Sequence, residues 1–225
     1  MSRPLLLDLF CGAGGAGMGY RQAGFEVTGA DLAPQPNYPF KFIQADALDL
    51  LADRGFMAQF SAVHASPPCQ RRSRMTNCRP GLAAAYPDLV EPVRELLAAW
   101  GGPWVIENVE GAGLPGQDDL FGAHGVMLCG TMFGRALYRH RWFRASIPLR
   151  APGHPRHLLP ASRAGHWRPG TVMSVEGHCS PVELARELMG IGWTTREELA
   201  EAIPPVYTEY LGGFLMEHMA ARGAA

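Results

Sequence analysis

Short apolar runs alternate with amphipathic segments through the first half of the chain. Consecutive apolar residues predict buried strands at residues 5–10, 25–30, 42–45, 61–65 and 104–106. Apolar residues at helical spacing predict helices over residues 18–23, 48–60 and 88–100. Strands that alternate with helices indicate an α/β fold, a doubly wound Rossmann-like arrangement on a mainly parallel sheet.

The periodicity fails between about residues 144 and 170, where five prolines interrupt the sequence. It returns with helices predicted over residues 181–189, 194–202 and 206–221, and Thr194 or Thr195 can cap the second of these. We therefore predict a core at residues 1–143 and a very small irregular insertion at residues 144–175. The C-terminal helices, at residues 176–225, complete the core.

Composition narrows the class of protein. The 225 residues suit one domain, and a hydrophobic content of 47% supports a sizeable core. No stretch approaches the roughly 18 apolar residues that span a membrane, and Asp8 interrupts the opening apolar run, unlike a secretory signal. Five cysteines without a C-x-x-C pair disfavour both a disulfide framework and a zinc ribbon, so we expect a cytoplasmic protein. No obligate protein partner is evident.

Charge is distributed unevenly, although the net charge is only −1. Between Leu120 and Val175 there is no Asp or Glu, but there are eight arginines and five histidines. Such a basic block in a neutral protein is typical of a face that binds phosphates. The alternative is an ordinary solvated face, although those usually mix both signs.

A glycine-rich turn follows the first strand, and acidic residues follow the next two. Glycines such as Gly12 and Gly14 let a backbone approach a nucleotide-like ligand closely. Asp31 could accept hydrogen bonds from ribose hydroxyls, and Asp46 from an adenine amino group. Each aspartate alone is more often a turn residue or a helix cap. Together, at successive strand ends, they favour a cofactor that contains adenosine.

Candidate catalytic and base-binding residues follow the fourth and fifth predicted strands. Two prolines stiffen the turn that presents Cys69, and an arginine-rich loop follows it, so a nucleophilic thiolate is favoured over a buried structural cysteine. Glu107 at the next strand end could hold the exocyclic amine of a base and share a proton with ring nitrogen 3; the alternative is a surface or capping glutamate. Arg139 and Arg141, two apart in a strand, would point the same way and bind a base oxygen, or simply phosphates.

Four ordered blocks make the sequence resemble the DNA cytosine-5 methyltransferase family: DLFCGAGG, SPPCQ, ENV and RHR. A weaker fifth block, ELMGIGW…EAIPPVY…LGG, is similar to the closing motifs of that family. Together the blocks cover nearly the whole chain except roughly residues 144–175. The resemblance implies a Rossmann-like methyltransferase sheet, double-stranded DNA as partner and S-adenosylmethionine as cofactor.

The resemblance also implies a role for each matching residue. Cys69 would attack carbon 6 of a flipped-out cytosine, and Glu107 would stabilise the activated ring. Arg141 would contact the base oxygen, with Arg139 in support. The cofactor would be held by Phe10, Gly12, Gly14, Asp31, Asp46 and Pro68.

The sequence departs from the family at several places. Ser66 stands where the family usually has Gly, Leu137 where it often has Gln, and Glu201 where it usually has an Asn near the cofactor. Residues 144–175 would form the target-recognition region, which is very short. This predicts a compact, phage-like member that reads about two to four base pairs, with arginines favouring a GC-containing site.

Three other functions remain open. A related branch of the family methylates tRNA with the same blocks, an amino-group methyltransferase typically has Pro-Pro-Tyr where this chain has Pro-Pro-Cys, and an inactive regulator could keep the fold. Cys69, Glu107 and Arg141 argue against the last two. A metal site built from His154, His157, His166 and Cys179 is also conceivable, but the spacing is irregular and no metal is predicted.

Overall fold

A computed structural model describes residues 2–68, 88–109, 125–162, 166–175, 177 and 179–223. Its strands form one seven-stranded sheet of order β3-β2-β1-β4-β5-β7-β6. The strands are β1 Leu5–Leu9, β2 Glu26–Asp31, β3 Lys41–Gln44, β4 Ala62–Ala65, β5 Trp104–Val109, β6 Gly125–Leu128 and β7 Arg141–Ala145. The first five are parallel, and β7 runs antiparallel between β5 and β6. The predicted doubly wound Rossmann-like sheet is confirmed.

Seven α-helices are described, together with a 3-10 turn at Gly130–Phe133. They are α1 Gly15–Gln22, α2 Ala47–Ala52, α3 Arg54–Met57, α4 Val90–Trp100, α5 Val182–Met189, α6 Arg196–Glu201 and α7 Pro205–Gly223. The single helix predicted over residues 48–60 is wrong. Asp53 adopts an extended backbone (φ −79°, ψ 96°), and its carboxylate accepts a hydrogen bond from Phe56 N at 3.0 Å, which starts α3 as a separate helix.

The predicted cap of the short C-terminal helix is Thr195. Its hydroxyl accepts from Glu198 N, and the Glu198 carboxylate accepts in return from Thr195 N at 2.7 Å. This reciprocal capping box satisfies two backbone donors at the start of α6.

Hydrophobic residues cover both faces of the sheet. One face packs Leu6, Phe143 and the helices α1 and α7, centred on Tyr20 and Tyr207. The opposite face packs α2, α3 and α4 and includes Leu97 among its buried residues. Helices α1 and α7 are so close that a Cβ on Gly19 would meet backbone atoms of α7.

The insertion has little regular structure of its own. Beyond the end of β7, the described residues up to Val175 form only isolated bridges, among them Leu137 with Met173 and Ala161 with Val172. A third hydrophobic cluster, which includes Leu137, Met173 and Met189, joins the end of the insertion to α5 and α6. In the described part of the chain, no helix combines the length and apolarity that crossing a membrane requires.

Candidate active site

The turn after β1 is strained and open. Phe10 has a left-handed backbone (φ 56°), which non-glycine residues rarely adopt, and its carbonyl accepts from Ser66 Oγ at 3.1 Å. Gly12 is also left-handed (φ 46°), and a Cβ there would have nothing within 4 Å. Gly12 N donates to Asp31 Oδ2 at 3.1 Å, which ties the turn to the end of β2. Backbone strain at an open turn is typical of a ligand site.

Gly14 has a different reason for lacking a side chain. A Cβ there would lie 2.7 Å from Pro39 Cδ and 2.9 Å from the Tyr38 ring. Packing against residues 38 and 39 therefore requires this glycine. Gly14 also precedes α1 and gives it no side-chain cap, so the helix starts with backbone N–H groups that a ligand can use.

Asp31 and Asp46 both act as hydrogen-bond acceptors for the backbone. Besides Gly12 N, Asp31 accepts from Ala33 N through Oδ1 at 3.0 Å. Asp46 Oδ1 accepts from Leu48 N at 2.7 Å and caps α2. Sequence reasoning had weighed that capping role for Asp46 and missed Leu32, which lies beside Asp31 with 70% of its surface exposed. An exposed leucine next to Asp31 offers an apolar surface to a flat ring.

A buried carboxyl group lies beneath the turn. Asp8 is inaccessible to solvent, and its Oδ2 accepts from Tyr38 OH at 3.2 Å. Its Oδ1 has no hydrogen-bond partner among the described residues. Burial raises the pKa of Asp8 to about 8, although the bond from Tyr38 acts in the opposite direction. In the sequence, Asp8 interrupts an apolar run and begins the DLFCGAGG block, but no local pattern indicates that it is buried.

Glu107 and Arg141 form a buried ion pair at the carboxyl end of β5. The antiparallel register sets Glu107 opposite Phe143, so Glu107 and Arg141 project to the same face of the sheet. Arg141 Nε lies 3.0 Å from Glu107 Oε1, but without hydrogen-bond alignment, so Oε1 has no hydrogen bond within the described structure. Glu107 is only 6% exposed, and burial raises its pKa although Arg141 and Arg139 counteract the rise. The Glu107 carboxyl therefore keeps its proton to a higher pH than a solvent-exposed glutamate does.

Arg139 serves a different purpose from Arg141. It precedes β7 and does not share that strand with Arg141, so the expectation of two parallel side chains on one strand is wrong. Arg139 is 4% exposed. Its guanidinium donates to the carbonyls of Val175 at 2.6 Å, Ala200 at 2.8 Å and Ala202 at 2.9 Å. This joins the insertion to the C-terminal helices and holds the segment that leads into Arg141.

The C-terminal segment closes over the glycine-rich turn. Trp193 Nε1 donates to Ala13 O at 2.8 Å, and a Cβ on Gly15 would meet the carbonyl of Ile203. Glu201 is exposed at the end of α6, two residues before Ile203. Trp193 was missed as a candidate, and the G-I-G-W block was its only signal.

The predicted nucleophile, Cys69, lies outside the described residues, as do Arg71, Arg72, Arg74 and Arg79 of the arginine-rich loop. The structure describes the chain up to Pro68, after the carboxyl end of β4. Pro67 is buried and Pro68 is exposed there. Since β4 lies between β1 and β5, the turn that leads to Cys69 starts between the glycine-rich turn and Glu107.

No protein-family model matches the chain. Among curated proteins, the Type II methyltransferase M.AgeI of Thalassovita gelatinovora is 33% identical in an alignment 124 residues long, and the match covers 47% of this chain and 28% of that protein. The match thus spans less than a third of the relative's length.

Solved structures of methyltransferases share the fold. A protein described as a DNA modification methyltransferase encoded within an E. coli prophage superposes with a TM-score of 0.65 at 14% identity, covering 96% of this chain and 99% of that one. The S. pombe Dnmt2 methyltransferase gives 0.61 at 15% identity with the same coverage. Entamoeba histolytica methyltransferase EhMeth gives 0.63 at 12% identity, with 97% and 99% covered. The predicted resemblance to methyltransferases is confirmed, since the curated relative and all three solved structures are named as methyltransferases.

Proposed function

We propose that this chain is an S-adenosylmethionine-dependent methyltransferase that acts on carbon 5 of cytosine in DNA. The observation that carries the proposal is the buried Glu107–Arg141 pair, in which the pKa of the carboxyl is raised and one oxygen lacks a hydrogen bond. A protonated carboxyl beside a guanidinium matches the edge of cytosine, whose nitrogen 3 accepts, whose amine donates and whose carbonyl oxygen accepts.

The turn after β1 fits S-adenosylmethionine, which would supply an electrophilic methyl group. No protein atom lies near the position of a Cβ on Gly12, so the cofactor can approach the backbone closely there. The start of α1 has no side-chain cap and suits the carboxylate of the amino-acid part of the cofactor. Asp31 would accept from ribose hydroxyls, and the exposed Leu32 would lie against the adenine. Asp46 keeps Oδ2 for the adenine amine while Oδ1 caps α2. Phe10 and Pro68 would line the same space.

Glu107 would activate the base by giving its proton to nitrogen 3, which draws electrons away from carbon 6. Arg141 would donate to the carbonyl oxygen of the base. Its Nη1 is already held by His140 O at 2.9 Å, which limits the directions that the guanidinium can take.

Cys69 would then add its thiolate to carbon 6, which makes carbon 5 nucleophilic enough to take the methyl group. Loss of the carbon 5 proton to a base or to water returns an electron pair to the ring, and the bond from sulfur to carbon 6 breaks. Nitrogen 3 returns its proton to Glu107, so that the thiolate, the carboxyl and the aromatic ring are all restored. Because carbon 6 is inaccessible within a stacked duplex, the cytosine must be flipped out.

The insertion would contact the DNA. Arg150, Arg156 and Arg168 are exposed, and no acidic residue lies among the described residues from 125 to 175. Leu158, with 82% of its surface exposed, is available to fill space next to a displaced base. Because the insertion is short, it can make only a few base contacts, which supports a short target. Its arginines favour guanine edges in a GC-containing site.

The test is methyl transfer measured at the level of nucleosides. Purified protein is incubated with S-adenosylmethionine and either duplex DNA or transfer RNA, and the digested products are examined by mass spectrometry. We expect 5-methylcytosine in DNA from wild type, and a loss of at least about a thousandfold in Glu107→Ala.

Cys69→Ala should abolish the product, whereas the matched variant Cys179→Ala, at a buried cysteine far along the chain, should keep it. Product in RNA alone, or an N4-methylated cytosine, would contradict the proposal. A defined target of six base pairs or more in bisulfite sequencing would contradict the short site.

A further inference from the structure

Four metal-ligand side chains meet outside the proposed active site. They are Cys129, His140, His154 and His157, and one donor atom from each lies within 4.8 Å of all the others. Cys129 is buried, His140 and His157 are partly buried, and His154 is exposed. No other group of this kind occurs among the described residues.

The sheet brings the first two donors together. In the β6–β7 ladder Leu128 pairs with Arg141, so Cys129 and His140 are neighbours just beyond the paired positions. The other two come from the irregular insertion, where His154 and His157 are three residues apart. The ligands therefore join two parts of the chain separated by the whole of β7.

The spacing of the donors suits a tetrahedral ion. Zinc bond lengths of about 2.3 Å to sulfur and about 2.0 Å to nitrogen separate a sulfur and a nitrogen ligand by about 3.5 Å. Cys129 Sγ lies 3.5 Å from His157 Nε2. The other separations between donor atoms in the group are at most 4.8 Å.

We propose that Cys129, His140, His154 and His157 bind one structural zinc ion. One thiolate and three imidazoles are the borderline-soft donors that zinc prefers. Four protein ligands complete a tetrahedron and leave no position for substrate or water, so the ion stabilises structure and takes no part in methyl transfer.

Neighbouring groups support this assignment. Thr131 Oγ1 donates to Cys129 Sγ at 3.3 Å, and the Tyr138 ring stacks on His157 with centroids 3.7 Å apart. Hydrogen bonds to the thiolate and packing against an imidazole orient the ligands of metal sites. Of the four residues weighed from the sequence as an alternative metal site, only His154 and His157 belong to this group; the other two members are Cys129 and His140.

The ion would fasten the insertion to the edge of the sheet. Residues 154–157 lie in a stretch without helix or extended strand, so metal bonds to two of its side chains would restrict its conformation. It would also fix His140, which stands between Arg139 and Arg141. The positions of the insertion and of Arg141 would therefore depend on the same ion.

The test is the metal content of the purified full-length protein. Inductively coupled plasma mass spectrometry should find about one zinc per chain, and a chelator should lower the melting temperature. Cobalt exchanged into the site should show the visible bands of tetrahedral Co²⁺ and a thiolate charge-transfer band.

Two matched pairs of variants make the test specific. Cys129→Ala should lose the zinc, and Cys179→Ala, at another buried cysteine, should keep it. His154→Ala should lower retained zinc at least tenfold, and His166→Ala, at another exposed histidine of the insertion, should not. Because His154 is exposed, its variant remains informative even where Cys129→Ala fails to fold.

Wild-type protein that neither contains zinc nor takes up Zn²⁺ on dialysis would overturn the proposal. Equal zinc in His154→Ala and His166→Ala would do the same. The readout needs no methyltransferase assay, so it stands whether or not the proposed function does.

Discussion

Arg139 offers the sharpest test of how the fold supports the site. Its buried guanidinium donates to three backbone carbonyls, those of Val175, Ala200 and Ala202. Arg139→Met keeps most of the apolar volume but removes every donor. The three carbonyls then face a side chain that cannot bond to them.

The magnitude follows from the cost of unsatisfied buried groups. Each buried acceptor left without a partner costs about 1–3 kcal/mol, and part of this is recovered because the charge no longer has to be desolvated. We therefore expect a loss of about 3–5 kcal/mol in the free energy of unfolding. For a chain of this size that is a fall of about 6–20 °C in Tm.

The assay is thermal and urea unfolding of Arg139→Met beside Arg135→Met. Arg135 also donates to carbonyls, those of Leu188 at 3.0 Å and Glu187 at 3.4 Å, but it is more exposed, so its loss should cost no more than about 1 kcal/mol. A Tm for Arg139→Met within about 2 °C of wild type, or equal effects of the two variants, would refute the reasoning.

Three further predictions concern the turn and the buried acids. The raised pKa of Asp8, about 8 when folded against about 4 when unfolded, means that the folded state keeps a proton that the unfolded state releases, so stability is lost as pH rises between these values. In urea titrations, the free energy of unfolding of Asp8→Asn should therefore increase relative to that of wild type as pH rises from 5 to 8. A difference between the two proteins that does not change with pH would contradict this. The raised pKa of Glu107 predicts that methyl transfer falls as pH rises through it, and the falling limb should disappear in Glu107→Gln, whose residual rate should be about 10²–10⁴-fold lower. Gly12→Ala should weaken S-adenosylmethionine binding in calorimetry by tenfold or more, about 1.4 kcal/mol. The added Cβ meets no protein atom, but the left-handed backbone (φ 46°) should lower the free energy of unfolding by about 1–2 kcal/mol. Unchanged affinity would exclude the turn as the cofactor site.

The sequence was most informative where local patterns decide structure. Apolar runs located β1 to β4 within one residue at each end, and they located the first residue of β5, which ends three residues beyond the predicted end at 106. The cap at Thr195 was visible because Glu198 completes a capping box three residues later.

Long-range pairing was the part that sequence could not supply. Strands β6 and β7 are short and pair antiparallel at the edge of the sheet. They are therefore not part of the alternation of strands and helices from which the other strands were predicted. That pairing brings Cys129 beside His140, and neither was grouped with His154 and His157 because contacts across a sheet leave no fixed spacing along the chain. The hydrogen bond from Tyr38 to the buried Asp8 joins residues thirty positions apart, so no local pattern in the sequence indicates it.

The central claim is that Cys69 forms a bond to the target base during methyl transfer, and trapping that adduct is the most direct test. In duplex DNA that carries 5-fluorocytosine, the fluorine on carbon 5 cannot leave as the proton does, so the thiolate cannot be expelled once the methyl group has been added. Intact mass spectrometry under denaturing conditions should show the chain joined to the oligonucleotide plus one methyl group with wild type and not with Cys69→Ala. Absence of this species from a wild-type protein that methylates ordinary DNA, or its presence in Cys69→Ala, would contradict the account.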